Sequence, residues 1–310
     1  MNSKNLNKSI REAFGDTLVK LAIRNPKIYV VNADLKTSLH LGKFAKKFPE
    51  KFIECGVAEN NAAGVAAGLA HSGKTVFLTS FACFSPAINW AVIKQSICYN
   101  HADVKIIGSH AGLLSTDLGA THQMLEDVAL MRSLPNMQVF APLDAIEAAK
   151  IVTVASQSHL PAYIRLVRPA TPFAYDSKIP FTIGKSHVLK KGSDLTVLGY
   201  GPILFQVLEL NHLNLEIINC SSIKPLDAET IIRSLNKTGR CLVLEDHQKN
   251  GGLGEAIAAL ILSSGLSVKF IHLAVDNRFG QSAKGYNELY SHYGLGSADI
   301  SNAVNQLLSK

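Results

Sequence analysis

The sequence predicts an α/β protein of two domains, each a mainly parallel sheet with helices on both faces. Three observations carry that prediction. Short apolar, β-rich runs alternate with helical stretches along the chain, and such alternation builds parallel strands joined by right-handed helical crossovers. A chain of 310 residues is long enough for two hydrophobic cores. An aperiodic stretch with Pro169, Pro172 and Pro180 divides the alternation in two.

Taken in order, an amphipathic segment from Ile10 to Ile23 precedes a strand-like run at Lys27–Val31. Lys51–Cys55 reads as a short strand that leads into the glycine- and alanine-rich helix Gly56–Gly68. Thr75–Thr79 and Val104–Gly108 are strand-like, with a helical stretch around Trp90–Cys98 between them. Gln138–Ala141 ends at Pro142, Asp144 precedes a helix over Ala145–Ala155, and Ala162–Leu166 is the last strand of this half. Beyond the prolines, Leu195–Tyr200, Leu215–Asn219, Cys241–Glu245 and Val268–His272 read as strands, and Ala298–Leu308 as a closing helix. The domains are therefore expected at 1–170 and 183–310, with a linker over 171–182.

Composition narrows the function. Apolar residues at 47% with 18% charged describe a folded, soluble chain. Met1–Leu6 carries no apolar leader, and Ser80, Ser85, Pro86 and Asn89 interrupt the apolar stretch Val76–Ile93, so no membrane span is expected. Cys55, Cys83, Cys98, Cys220 and Cys241 form no CxxC pair, as expected of reduced thiols in a cytoplasmic protein. The net charge of +7 is spread along the chain, and its one dense run, Lys43, Lys46, Lys47 and Lys51, reads as a solvated helix face. That distribution argues against nucleic acid and leaves diffuse solubilising charge or a basic cleft for a phosphorylated small molecule. Gly251-Gly252-Leu253-Gly254 lacks the GxGxxG spacing and reads as a helix-entry turn; no Walker A, HExxH or GxSxG string is present.

The run Gly56-Val57-Ala58-Glu59-Asn60 sets one carboxylate at the start of an otherwise apolar helix. Burying an unpaired carboxylate costs several kcal/mol, so Glu59 either faces the helix dipole at the surface or awaits a partner such as a protonated ring nitrogen. Phe81 and Phe84 fit a core as well as a ring-stacking wall, and His110 and His122 sit on a loop-rich stretch where ordinary surface histidines are common.

Together with Arg11-Glu12-Ala13-Phe14-Gly15-Asp16, Asn32-Ala33-Asp34-Leu35 and Thr121-His122-Gln123, that run resembles the transketolase family of thiamine diphosphate enzymes. Lys224-Pro225-Leu226-Asp227, Gly251-Gly252-Leu253-Gly254 and Arg278-Phe279-Gly280-Gln281-Ser282 extend the resemblance over both of the expected domains, the pyrimidine-binding and C-terminal domains of that family. The resemblance implies that Glu59 contacts N1′ of the cofactor's aminopyrimidine, favouring the imino tautomer that deprotonates the thiazolium ring. It implies that Phe81 and Phe84 stack on the aminopyrimidine, with Asp34 a further cofactor contact. His110 and His122 then line the substrate channel as catalytic hydrogen-bond donors or proton shuttles, and Arg11, Ser38 and Arg168 hold the sugar phosphate. The family's usual aspartate stands four residues before the second histidine. Leu118 holds that place here and Asp117 is one residue earlier, so Asp117 is the candidate for that contact.

No GDG motif is present, so the chain is not expected to bind metal itself. The resemblance implies that Mg²⁺ and the cofactor's diphosphate come from an N-terminal partner subunit, in an assembly of two copies of each chain. The expected reaction is transfer of a two-carbon ketol unit from a ketose phosphate to an aldose phosphate. The alternatives are the β subunit of a 2-oxo acid dehydrogenase, half of a deoxyxylulose-phosphate synthase-like enzyme, or a binding module that kept the fold without activity.

Overall fold

The computed structural model describes residues 8–210 and 212–309, so the Met1–Leu6 segment lies outside the described residues. The first half runs β1 (Lys8–Ser9), α1 (Ile10–Arg24), β2 (Ile28–Asn32), α2 (Gly42–Lys47), β3 (Phe52–Glu54), α3 (Glu59–His71) and β4 (Thr75–Phe81). It continues with α4 (Trp90–Val92), β5 (Val104–Ser109), α5 (Asp127–Arg132), β6 (Gln138–Phe140), α6 (Ala145–Ala155), β7 (Ala162–Arg165) and β8 (Ala170–Thr171). The second half runs β9 (His187–Lys190), β10 (Leu195–Gly199), α7 (Leu204–Leu208), β11 (Leu215–Asn219), β12 (Ser222–Lys224), α8 (Ala228–Thr238) and β13 (Arg240–Gln248). α9 (Leu253–Ser263), β14 (Lys269–Val275), α10 (Tyr286–His292) and α11 (Ser297–Leu308) complete it.

Two sheets organise these elements. One has seven strands in the order β12-β6-β7-β5-β4-β2-β3, the other five in the order β14-β13-β10-β11-β9. Neighbouring strands are parallel except at β12 beside β6 and β9 beside β11. The strands are continuous apolar runs because both faces are covered: Val30, Ile107, Val197 and Leu242 enter one core, while their neighbours Val31, Ile106, Leu198 and Val243 enter the other. α1, α6 and α11 pack on one side, and the alanine face of α3 with α5, α8 and α9 on the other.

Three features depart from the sequence reading. Trp90–Cys98 is not one α-helix: α4 gives way to a π-helical turn over Ile93–Cys98. The proline-rich stretch contains β8, which pairs antiparallel with β1. β12, although beyond that stretch, extends the first sheet. The sheets are mainly parallel, as expected, and the reversed strands β9 and β12 are short segments at sheet edges. The Gly251–Gly254 run is a helix-entry turn, with Gly252 the N-cap of α9. Among the described residues no helix is long and apolar enough to cross a membrane.

Candidate active site

The strands of the first sheet deliver their carboxyl ends to one edge, and the candidate residues sit on the turns there. Glu59 is the first residue of α3, and the 3.6-residue period places it on the same face as Ala62, Ala63 and Ala66. That face is buried, and Glu59 is 8% exposed with it. Among the described residues its carboxylate makes neither a hydrogen bond nor an ion pair. Its backbone carbonyl accepts from the Asn89 amide at 3.1 Å, and the same amide donates to Ser85 Oγ at 3.1 Å. Asn89 is fully buried and its Oδ1 has no partner. The Ser80–Asn89 turn is therefore tied directly to the start of α3.

Phe81, at the end of β4, stacks beside Phe84 with ring centroids 6.1 Å apart. His110, just beyond β5, lies 3.9 Å from the Phe81 ring, and His122 meets the Phe84 ring edge-on at 5.5 Å. Four residues separated by up to 41 positions thus form one ring cluster. His110 adopts φ +59° and Nδ1 shares a hydrogen bond with Ser109 Oγ at 2.9 Å. Burial, reinforced by the positive charges of Arg11 and Arg168 and by His122, pushes the His110 pKa down to about 3. At physiological pH it is a neutral imidazole, with one ring nitrogen a donor and the other an acceptor. His122 Nδ1 pairs with Thr121 Oγ1 at 2.9 Å.

A second cluster is cationic. Arg11, in the first turn of α1, donates to the Ser38 carbonyl at 2.5 Å and to the Arg168 carbonyl at 2.8 Å. Burial and the neighbouring Arg168 lower the Arg11 pKa from its ordinary value. Two guanidinium groups held together repel, and that repulsion is relieved by an anion. Asp117 supplies one, in an ion pair with Arg168 in which both side chains remain partly exposed. Arg168 lies three residues beyond the end of β7 rather than on it.

Asp34 is not drawn into either cluster by a side-chain bond. It is exposed at φ +56°, and its backbone N–H donates to Glu54 Oε1 at 2.8 Å. Cys83 is no nucleophile, because burial raises its thiol pKa to about 12. No group of three or more His, Cys, Asp or Glu among the described residues is arranged to hold a metal ion.

Sequence reasoning missed two supports. Asn89 was visible only as a polar interruption in an apolar run. The other is a buried ion network: Arg165 donates to Asp127 Oδ2 at 2.9 Å and to Asp246 Oδ1 at 2.7 Å, while Tyr163 donates to Asp127 at 2.7 Å. It joins β7 and α5 of the first half to β13 of the second. A lone arginine inside an apolar strand was its only local signal.

The described geometry can be set beside known proteins. Residues 7–173 match the family model for the transketolase pyrimidine-binding domain, and residues 184–300 match that for the transketolase C-terminal domain. A Methanocaldococcus jannaschii protein named for the C-terminal section of transketolase is 37% identical over 98% of this chain and 97% of its own length. One of the subunits of apulose-4-phosphate transketolase from Phocaeicola vulgatus is 34% identical, covering 97% of each. A solved split-gene transketolase, described as an inactive β4 tetramer, superposes with a TM-score of 0.88 at 40% identity, covering 97% of this chain and 98% of that one.

Proposed function

This chain belongs to the transketolase family, and from that membership we propose that it is the C-terminal subunit of a two-chain, thiamine diphosphate-dependent transketolase. It transfers a two-carbon ketol unit from a ketose phosphate to an aldose phosphate, and does so only with a partner chain. The observation that carries the reading is Glu59: a buried carboxylate without a protein partner, beside stacked aromatic rings. Two relatives that this chain covers over 97% of their length, one named as a C-terminal section and the other as a subunit, support the two-chain arrangement.

The residues present fit the pyrimidine end of the cofactor. Glu59 offers an acceptor to a protonated ring, and Phe81 and Phe84 offer it a flat apolar wall. When bound, the cofactor supplies the carbon nucleophile and electron sink for breaking and remaking the ketose carbon–carbon bond. Glu59 holds the proton it shares with the ring nitrogen, and its low exposure keeps water from competing for it. His110 and His122 each have Nδ1 engaged, which leaves Nε2 for sugar oxygens. Arg11 and Arg168 hold the phosphate, with the Ser38 carbonyl fixing the Arg11 fork. Asp34 contacts the cofactor from its turn, and Asp117 takes the place of the displaced family aspartate beside the sugar.

Mg²⁺ and the diphosphate are assigned to the N-terminal partner subunit. The surface beside α3 suits such a partner: Val57, Ile88 and Tyr99 are 78%, 56% and 82% exposed, and Gly64 and Gly68 leave open space above the helix. Two copies of each chain, working in the cytoplasm with their thiols reduced, complete the proposal.

The test is co-purification with a partner subunit that carries a diphosphate-binding domain, followed by a ketol-transfer assay with thiamine diphosphate and Mg²⁺. Transfer by the pair and none by this chain alone is expected. Turnover by the isolated chain refutes the shared site, and oxidation of pyruvate without ketol transfer assigns the pair to 2-oxo acid dehydrogenases.

A further inference from the structure

We propose that residues 279–283 of the second domain form a clamp that positions His122, with Gln123 and Gly280 as its positioning residues. The importance of His122 rests on the function proposed above; the clamp itself rests on geometry.

The loop from Ser115 to Gln123 carries both Asp117 and His122 yet contains no helix or strand. It turns on itself at Gly119, whose carbonyl accepts the backbone N–H groups of His122 at 3.1 Å and Gln123 at 3.0 Å. Such a turn leaves the loop free to move as a unit unless something outside holds it. The partly exposed Asp117–Arg168 pair and the edge-on contact of His122 with Phe84 hold part of it. Further holding contacts come from a segment 158 residues away: Gln123 Nε2 donates to the Gln281 carbonyl at 3.0 Å, and also to the loop's own Ser115 carbonyl at 3.3 Å. The Ala283 N–H donates to the Thr116 carbonyl at 2.9 Å. Both ends of the loop are thus tied to the same short stretch.

The approach is close enough to fix residue types. A Cβ on Gly280 would lie 1.9 Å from Gln123 Oε1, and one on Gly119, at φ +69°, would lie 2.7 Å from Ser282 Oγ. Glycine is required at both positions because the two segments pass within van der Waals contact. The stretch is anchored in turn: Tyr293 Oη donates to the Phe279 carbonyl at 2.6 Å, and Gln248 Nε2 to the Arg278 carbonyl at 2.7 Å. Gln123 is buried, so its amide makes these bonds without competition from bulk water. A histidine next to such a fixed residue inherits its position.

The experiment uses Gly280→Ala, Gln123→Ala and the double variant. In the assembled enzyme each single change lowers kcat about tenfold, with KM for the sugar phosphates within about twofold, because misplacement by an ångström costs that much or more. The double variant matches Gln123→Ala, since the added methyl then meets no side-chain amide. A multiplicative loss of about a hundredfold in the double variant overturns the proposal. Hydrogen exchange on the isolated chain supplies a readout independent of activity. Gln123→Ala must accelerate exchange at Ala283, His122 and residue 123 while the amides of β10 and β13 stay protected; unchanged exchange at Ala283 overturns the clamp. Failure of the wild-type pair to transfer a ketol unit refutes the proposed function, and the exchange result still decides the clamp.

Discussion

Replacing Glu59 with glutamine separates the cost of this carboxylate from its use. The side chain is 8% exposed and has no partner among the described residues. Removing a carboxylate from water costs several kcal/mol in real proteins, and its place in the first turn of α3 returns up to about 2 kcal/mol through the helix dipole. A glutamine amide keeps the volume and drops the charge, at a burial cost of about 1–3 kcal/mol. The balance is a stabilisation of the isolated Glu59→Gln chain of about 1 kcal/mol, or about 2 °C in Tm. The assembled variant meanwhile loses at least about a hundredfold in ketol transfer, the ordinary worth of a positioned proton holder. Thermal unfolding of the chain alone and a coupled transfer assay with the partner read the two quantities. Destabilisation by more than about 1 kcal/mol refutes the reasoning, because Glu59 then serves the fold. Full activity refutes its assignment to proton chemistry.

Three further outcomes follow from the geometry. Arg165→Met leaves Asp127 and Asp246 buried without their cation, so urea unfolding shows a loss of about 3–5 kcal/mol, and adding Asp127→Asn with Asp246→Asn recovers part of it. Asp117→Asn frees Arg168 of its internal anion, and inorganic phosphate, measured by calorimetry on the chain, binds about two- to fivefold tighter, as expected for a partly exposed ion pair. The folded-state pKa of His110 is lowered, so the unfolded chain binds a proton that the folded chain refuses between pH 6.5 and about 3. Stability from this group is complete above pH 6.5 and falls as the pH drops below it, by at most about 1.4 kcal/mol per pH unit. Between pH 7 and pH 5, urea unfolding therefore shows the wild type losing about 1–2 kcal/mol more than a His110→Asn variant; equal losses refute the buried neutral imidazole.

Much of the fold was legible because its signals are local. α3 begins at Glu59 as expected, β11 spans Leu215–Asn219, and Asp144 caps α6 by accepting from Ile146 and Glu147 N–H groups. The sequence leaves Glu59 open between a surface place on the helix dipole and a buried one, and the packing of the α3 alanine face decides for burial. The π-helical turn over Ile93–Cys98 was not legible, because a shift to wider hydrogen-bond rings leaves no mark on composition. Nor was β12, whose three residues find their partner in β6 some 80 positions earlier. At the site, the residue types were readable and their grouping was not. Asp117 was a displaced carboxylate in the sequence and an ion-pair partner of Arg168 in the structure.

The sequence by itself determined the layered α/β architecture and which side chains have chemistry to offer. Strand and helix periods, caps and glycine turns act over a few residues, so they are written where they operate. Only the tertiary structure decided which of those side chains meet and in what state. Arg11 reaches the Arg168 carbonyl across 157 residues, and Gln123 reaches Gln281 across 158. His110 is neutral because distant elements bury it beside two arginines. Contact and desolvation depend on the packing of the whole chain, and no local stretch of sequence carries them.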